Sequence, residues 1–298
     1  MKKIVILITG SGNDFANRIL QCIHYSIGNH SDEGKQYTFK IKGYEIESFM
    51  NSHPELTPDN VLFHARTAHP SANWMDYMAK LEEQGFQFIN NISILKLTSD
   101  KWQSYLRFKE IGRMPHTILV TNRNMNLNIL DKFGDKFIIK TRISQGNGIY
   151  VKLIDKHIDK IDSNIFDRMG SGDLLIQDYL DIKAIYRTFC FGNFVLGAIT
   201  MDDNPSWKKS VCLNRQQKYI NEQEYLTNAL IYEITDYALS IQQFFGGQIN
   251  FIDIFELVTG EFVLSEVNTA CNLIIHENKT KVSISSYIAE YLIQQANL

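Results

Sequence analysis

Asp253 and Glu266 each sit inside an apolar run. The runs are Gln248-Ile-Asn-Phe-Ile-Asp253-Ile-Phe and Glu261-Phe-Val-Leu-Ser-Glu266-Val-Asn268, on either side of Thr259-Gly260. Such strands do not keep an ionised carboxylate without a partner, because an unpaired buried charge costs several kcal/mol or more. The two carboxylates and the amide oxygen of Asn268 are hard oxygen donors. Glu266 and Asn268 are two apart, so on a strand they face the same side. Such ligands suit magnesium when phosphates complete its shell.

Cationic and glycine-bearing segments could supply the phosphate end. Lys140-Thr-Arg-Ile-Ser144-Gln145-Gly146-Asn147-Gly148 links two strand-like runs. Its glycines and small polar side chains would let backbone N–H groups converge on a phosphate, with Lys140 as a point charge. The same residues also suit an ordinary hairpin loop. Leu174-Leu-Ile-Gln177-Asp178-Tyr179-Leu180-Asp181 passes from a buried strand into polar residues. A hinge of this kind can offer backbone groups to a base and an acid to ribose hydroxyls; a plain strand end reads the same way. Arg187 interrupts an apolar strand and needs an anion, be it a structural carboxylate or a phosphate. Trp207-Lys208-Lys209-Ser210 with Arg215 forms a basic cluster, which also fits a solvated loop. His64-Ala-Arg66-Thr-Ala-His69 ends a strand, where open α/β sheets bind ligands, although a structural loop accounts for it equally. Gly28 to Lys35 has one spacer too many for a phosphate loop and is followed by Gln36 in place of Ser or Thr. Gly10-Ser-Gly12 lacks the third glycine of a dinucleotide fingerprint. Neither zinc spacing nor a G-x-S-x-G elbow is present.

The positioning elements follow from hydrophobic periodicity. Residues 4–8, 61–64 and 86–89 read as strands and 13–27 as a helix, with Trp74, Met78 and Leu81 on one helical face. This alternation predicts a parallel α/β unit over 1–98. A helix starts with Ser99 or Asp100 as N-cap and runs to Ile111. The chain then turns strand-rich at 136–140, 148–152, 174–177, 186–191 and 193–200, with a hairpin turn at Phe191-Gly192-Asn193-Phe194. Residues 222–245 form a helix with a stripe of Leu226, Leu230, Ile234, Tyr237, Ile241 and Phe245, opened by an Asn221/Glu224 capping box. Residues 284–295 form a terminal helix.

The bulk numbers narrow the class. A chain of 298 residues can bury a large core in two or three subdomains. Hydrophobic residues at 44% and charged residues at 21% are ordinary for a globular protein. A net charge of −3 argues against broad nucleic-acid or anionic-lipid binding. Cys22, Cys190, Cys212 and Cys271 lie far apart and read as reduced thiols of a cytoplasmic protein. Residues 4–8 are too short for a signal h-region, and no run approaches about 18 apolar residues, so no membrane association is expected.

Taken in order, the motifs resemble the ATP-grasp superfamily, most closely the RimK-type carboxylate–amine ligases. The order is Asp100-Lys101, Lys140 with its glycine loop, Gln177-Asp178-Tyr179-Leu180, Arg187, Gly247 to Asp253, and Glu266-Val-Asn268. The likeness covers about residues 60–280. The fold it implies is ATP-grasp: α/β at the N-terminus, α+β beyond, with two lobes gripping ATP. The expected division is 1–98 for the small N-terminal domain, 99–180 for the central lobe with the glycine loop, and 181–298 for the C-terminal lobe with the metal site.

The resemblance assigns roles residue by residue. Lys101 and Lys140 would contact ATP phosphates, with Ser144, Gln145, Gly146, Asn147 and Gly148 closing over them. The backbone of Asp178, Tyr179 and Leu180 would hold the adenine, and Gln177, Lys208, Lys209 and Ser210 would belong to the ATP site. Asp253, Glu266 and Asn268 would bind a pair of magnesium ions. Arg187 would face the reacting phosphate or the substrate carboxylate. Two positions depart from the pattern. Ile185 stands where an Asp is expected before the arginine, which passes ribose contacts to Asp181. Met201 stands where a second arginine is expected, and Lys208 or Arg215 would supply that charge.

The activity implied is ATP- and magnesium-dependent ligation. A carboxylate is phosphorylated to an acyl phosphate, an amine attacks, and phosphate leaves. An amino acid and a peptide or protein are the implied substrates, and a homo-oligomer the implied assembly. Three other readings stand beside it: a peptide-modifying enzyme forming lactams or esters in a precursor, a small-molecule kinase, and a nucleotide-binding regulator without catalysis.

Overall fold

The computed structural model describes residues 3–10, 14–27, 37–66, 72–111, 113–121, 127–143, 151–159, 172–201, 217–220, 229–271 and 273–298. Three sheets follow one another along the chain. The first contains β1 (Ile4–Thr9), β2 (Thr38–Lys42), β3 (Val61–Arg66) and β4 (Gln87–Ile89), all parallel, in the order β2-β1-β3-β4. β1 is apolar from Ile4 to Ile8 because a parallel strand is covered on both faces. One cover is α1 (Asp14–Ile27) with the C-terminal helix α8 (Ile284–Ala296), around Ile19, Ile23, Ile288 and Leu292. The other is α2 (Ile46–Ser52) and α3 (Ala72–Glu83), around Met75, Met78 and Leu81.

Two short helices lead onward. α4 (Ile92–Ser99) is capped by Asn91, and α5 (Lys101–Phe108) by Asp100, whose carboxylate accepts from Trp102 and Gln103 N–H. Ser99 closes α4 instead of capping α5, and α5 stops at Phe108, short of the expected Ile111. Asp100 makes the break between them, because its extended backbone ends one helix while its side chain starts the next.

The second sheet is antiparallel, ordered β5-β8-β6-β7: β5 (Thr117–Val120), β6 (Lys136–Thr141), β7 (Val151–Asp155) and β8 (Leu174–Asp178). The third, also antiparallel, runs β11-β10-β9-β12-β13, from β9 (Ile182–Phe191), β10 (Phe194–Met201), β11 (Gln217–Ile220), β12 (Ile249–Leu257) and β13 (Phe262–Asn268). Gly192 turns β9 into β10 at φ +56°, and Gly260 turns β12 into β13 at φ +84°. One face of this sheet packs on α6 (Ala229–Phe245) through Ile234, Ile241, Phe245, Ile252, Ile254 and Leu264. α7 (Leu273–Thr280) follows β13. The capping box at Asn221/Glu224 and Leu226 lie outside the described residues, as do Cys212 and the histidine at 69.

The first and third sheets are joined by a buried polar contact. Asn90 donates to the Ile249 carbonyl at 2.7 Å and accepts from Ile249 N–H at 2.8 Å. Among the described residues no helix is long and apolar enough to cross a membrane.

Candidate functional site

The site is built on the face of the third sheet opposite α6. Arg187 on β9 lies in register with Asp253 on β12, and Asp253 in register with Glu266 on β13. Hydrogen-bonded strands thus bring residues far apart in sequence into one row. A bulge sets the last member. The register shifts between Asp253 and Ile254, with Ser265 as the extra residue opposite, so Leu264 turns to the α6 core and Glu266 to the open face. Asn268, in register with Phe251, shares that face.

The row is electrostatically paired. Arg187 donates to both oxygens of Asp253 at 2.6 Å, a two-pronged fork in a buried setting. Its remaining Nη1 lies 3.3 Å from Nε2 of the buried His276 on α7. Lys101, the first residue of α5, donates to Glu266. Burial opposes charge on Glu266, but Lys101, then Lys140 and Arg187, outweigh it and bring the carboxyl down to about 2. Burial pushes Asp253 upward even with Arg187 beside it.

Lys140 arrives from the second sheet. It donates to Gln177 Oε1 at 2.9 Å, while Gln177 donates to Thr117 Oγ1 at 2.9 Å. Desolvation, with the like charge of Lys101 behind it, lowers Lys140 to about 8, against the pull of Glu266. Two ammonium groups are therefore held near one carboxylate. An anion is the ligand that such crowding favours.

Beyond the row, Ile185 and Phe255 are register partners and pack with Ile182 as a small apolar patch. Next to it runs the segment after β8. Asp178 N–H bonds the His116 carbonyl, and the Asp181 carbonyl accepts from Val258 N–H. Among the described residues the backbone groups of Tyr179 and Leu180 make no hydrogen bond, so they are open to a ligand's polar edge.

The donor set suits magnesium in type: two carboxylates and an amide on one face. Asn268 Nδ2 is buried without a hydrogen-bond partner; this N–H donor calls for an acceptor such as a phosphate oxygen, and only the amide oxygen could ligate a metal. Among the described residues no cluster of three His, Cys, Asp or Glu side chains forms, so phosphate oxygens would have to complete the shell.

No protein-family model matches the chain, and no curated protein sequence matches it. Solved structures do. ATP-grasp ligase PsnB, complexed with a phosphomimetic variant of its minimal precursor, Mg and ADP, superposes with a TM-score of 0.69 at 12% identity, covering 99% of this chain and 100% of that one. D-alanine–D-alanine ligase from Bacillus anthracis complexed with ATP gives 0.67 at 16% identity, over 99% and 97%. A RimK domain ATP-grasp protein from Sphaerobacter thermophilus gives 0.64 at 13% identity, over 97% and 99%. The chain has the ATP-grasp fold.

On this ATP-grasp frame the expected site residues divide unevenly. Lys101, Lys140, Arg187, Asp253, Glu266 and Asn268 come together on one face or beside it. Gln177 is turned inward, where it holds Lys140 and Thr117. Ser144, Gln145, Gly146, Asn147, Gly148, Lys208, Lys209, Ser210 and Arg215 lie outside the described residues, and so does the side chain of Met201. His64 is fully buried and gives Nδ1 to the Ile89 carbonyl at 2.5 Å, a structural contact. Sequence reasoning missed His276, whose place beside Arg187 depends on how α7 packs.

Proposed function

We propose that the chain is an ATP- and magnesium-dependent ligase. It activates a carboxylate as an acyl phosphate and joins it to an amine. The row Lys101–Glu266–Asp253–Arg187 carries this reading, since it joins cation and metal-type donors on one face of an ATP-grasp frame.

A carboxylate is a poor electrophile, and a phosphorylated one is not. The protein's contribution to such a transfer is positioning and charge neutralisation. Lys101 and Lys140 would take the phosphate oxygens, with Gln177 holding the Lys140 ammonium in place. Asp253, Glu266 and Asn268 would hold magnesium, which supplies charge neutralisation on the transferring phosphoryl group. Lys101 would then leave Glu266 for phosphate. Arg187 would stay on Asp253 and present its Nη1 side. Ile182, Ile185 and Phe255 would floor the adenine, with Tyr179 and Leu180 reading its edge. We assign 1–98, 99–180 and 181–298 as the functional divisions, each centred on one sheet.

Peptide is the substrate class we favour for one partner. The support is the likeness to precursor-bound PsnB across the full length of both chains. Lactam or ester formation within a peptide uses the same acyl phosphate, with a side-chain amine or hydroxyl as nucleophile.

ADP and phosphate release, scored against amino acids and short peptides, tests the reading. A ligase releases both only when carboxylate and nucleophile are present together, and the product is the sum of the two less water. ADP with a stable phosphorylated product would replace ligase by kinase. ATP binding with no turnover on any pair would replace it by regulator.

A further inference from the structure

Arg142 lies one residue beyond β6 and two residues after Lys140. Its guanidinium does not face the row of charges. Nε and Nη2 fork onto Asp100, at 2.9 Å and 2.6 Å to Oδ2, and Nη1 reaches Asp173 at 2.8 Å. Charge-assisted forks of this type are the strong and directional hydrogen bonds. The backbone repeats the connection. Lys101 N–H donates to the Arg142 carbonyl at 3.1 Å, Arg142 N–H donates to the Asp173 carbonyl at 3.0 Å, and Asp100 bridges Ile143.

Three elements therefore meet at one side chain: the start of α5, the end of β6 and the entry to β8. Asp100 serves two of them at once. It caps α5 through Trp102 and Gln103 and takes the Arg142 fork. Burial opposes its charge, yet Arg142 and the helix N–H groups leave its carboxyl below the usual value.

What this junction fixes is the placement of two cations. Lys101 follows Asp100 directly, and Lys140 precedes Arg142 by two. The two lysines repel, which is part of why Lys140 is lowered to about 8, after desolvation. Lys101 donates to Glu266 and Lys140 to Gln177, but the distance between the two ammonium groups is set by where their backbones are tied together. We propose that Arg142 is a positioning residue that locks Lys101 and Lys140 at a fixed separation matched to a polyphosphate. It acts through Asp100 and Asp173 and touches no phosphate itself. The proposal rests on the nucleotide reading of the site.

The test compares ligands that differ only in phosphates. MgATP, MgADP and adenosine are titrated into wild type, Arg142→Gln, Arg142→Lys and Asp173→Asn, each well below its own melting temperature. Arg142→Gln is expected to weaken MgATP and MgADP roughly 10- to 100-fold, the usual cost of losing a residue that orients site ligands, with adenosine unchanged. Arg142→Lys keeps the charge without the fork and is expected to recover only part of the loss. Asp173→Asn, which leaves the Asp100 fork intact, should show a smaller loss of the same kind.

An equal loss for adenosine and MgATP, or none for MgATP, overturns the positioning role. Full recovery in Arg142→Lys overturns the part played by the fork. A wild-type protein that binds neither MgATP nor adenosine overturns the nucleotide reading itself, a result separate from both.

Discussion

The third sheet and the second sheet place charge by different means. In the third, Arg187, Asp253 and Glu266 occupy adjacent strands at matched register, so the backbone ladder sets their spacing. Lys140 of the second sheet, and Lys101 at the start of α5 beside it, stand where side-chain links put them: Gln177 for one, Glu266 and the Asp100–Arg142 junction for the other. A ladder has many parallel hydrogen bonds and tolerates the loss of one. A side-chain chain is in series, and one substitution opens it. The end proposed to hold metal is thus built into the backbone, and the end proposed to hold phosphate is assembled on top of it.

The largest effect should come from the ladder-held acids. Asp253→Asn or Glu266→Gln is expected to lower ADP release by about 100-fold or more, because each weakens a proposed magnesium ligand and with it the charge neutralisation the metal would supply. Circular dichroism should still report a folded protein. Near-normal turnover in either variant would remove the row from the chemistry and break the contrast.

Gln177→Leu tests the serial arrangement. It strands the Lys140 ammonium and leaves the Thr117 hydroxyl only its bond to the Pro115 carbonyl. A loss of about 1–3 kcal/mol in denaturant unfolding is expected, the cost of leaving buried polar partners unmade. The KM for ATP should rise as Lys140 loses its bearing. An unchanged KM would mean that Lys140 finds its place without Gln177.

The smallest effect is a pH dependence. Lys140 sits at about 8 against an ordinary 10.5, because the fold desolvates it and Lys101 repels it. The unfolded chain therefore holds this proton more tightly than the folded one. Without nucleotide, stability should rise as pH climbs from about 8 toward 10.5 and be flat in this contribution below 8. ATP affinity should move the opposite way and decline above pH 8, as the ammonium disappears. Lys140→Met should flatten both trends; persistence of either would assign it to another group.

The acids were legible because a carboxylate in an apolar strand is chemically conspicuous. Asp253 and Glu266 could be paired across Thr259-Gly260 from the sequence, and the face shared by Glu266 and Asn268 followed from their spacing. The bulge at Ser265 could not, since it arises from strand register and leaves no local mark. Gln177 was legible as a polar residue at a strand end, but its inward turn toward Lys140 depends on the neighbouring strand. α4 escaped because Ile92 to Ser99 carries apolar residues on too short a stretch to separate its period from the helix that follows. Arg142 lay unread in the glycine-loop segment, its partners being 42 and 31 residues away.

Asn90 adds a consequence for how such a protein can change over time. Its single amide meets Gln248 N–H, Ile249 N–H and the Ile249 carbonyl, much as an adjoining strand would. Excising the first ninety or so residues as a cassette would leave those backbone groups bare inside an apolar seam. Recombination at that boundary is penalised unless the incoming piece brings an equivalent amide, so the N-terminal part and the start of β12 are expected to be inherited together.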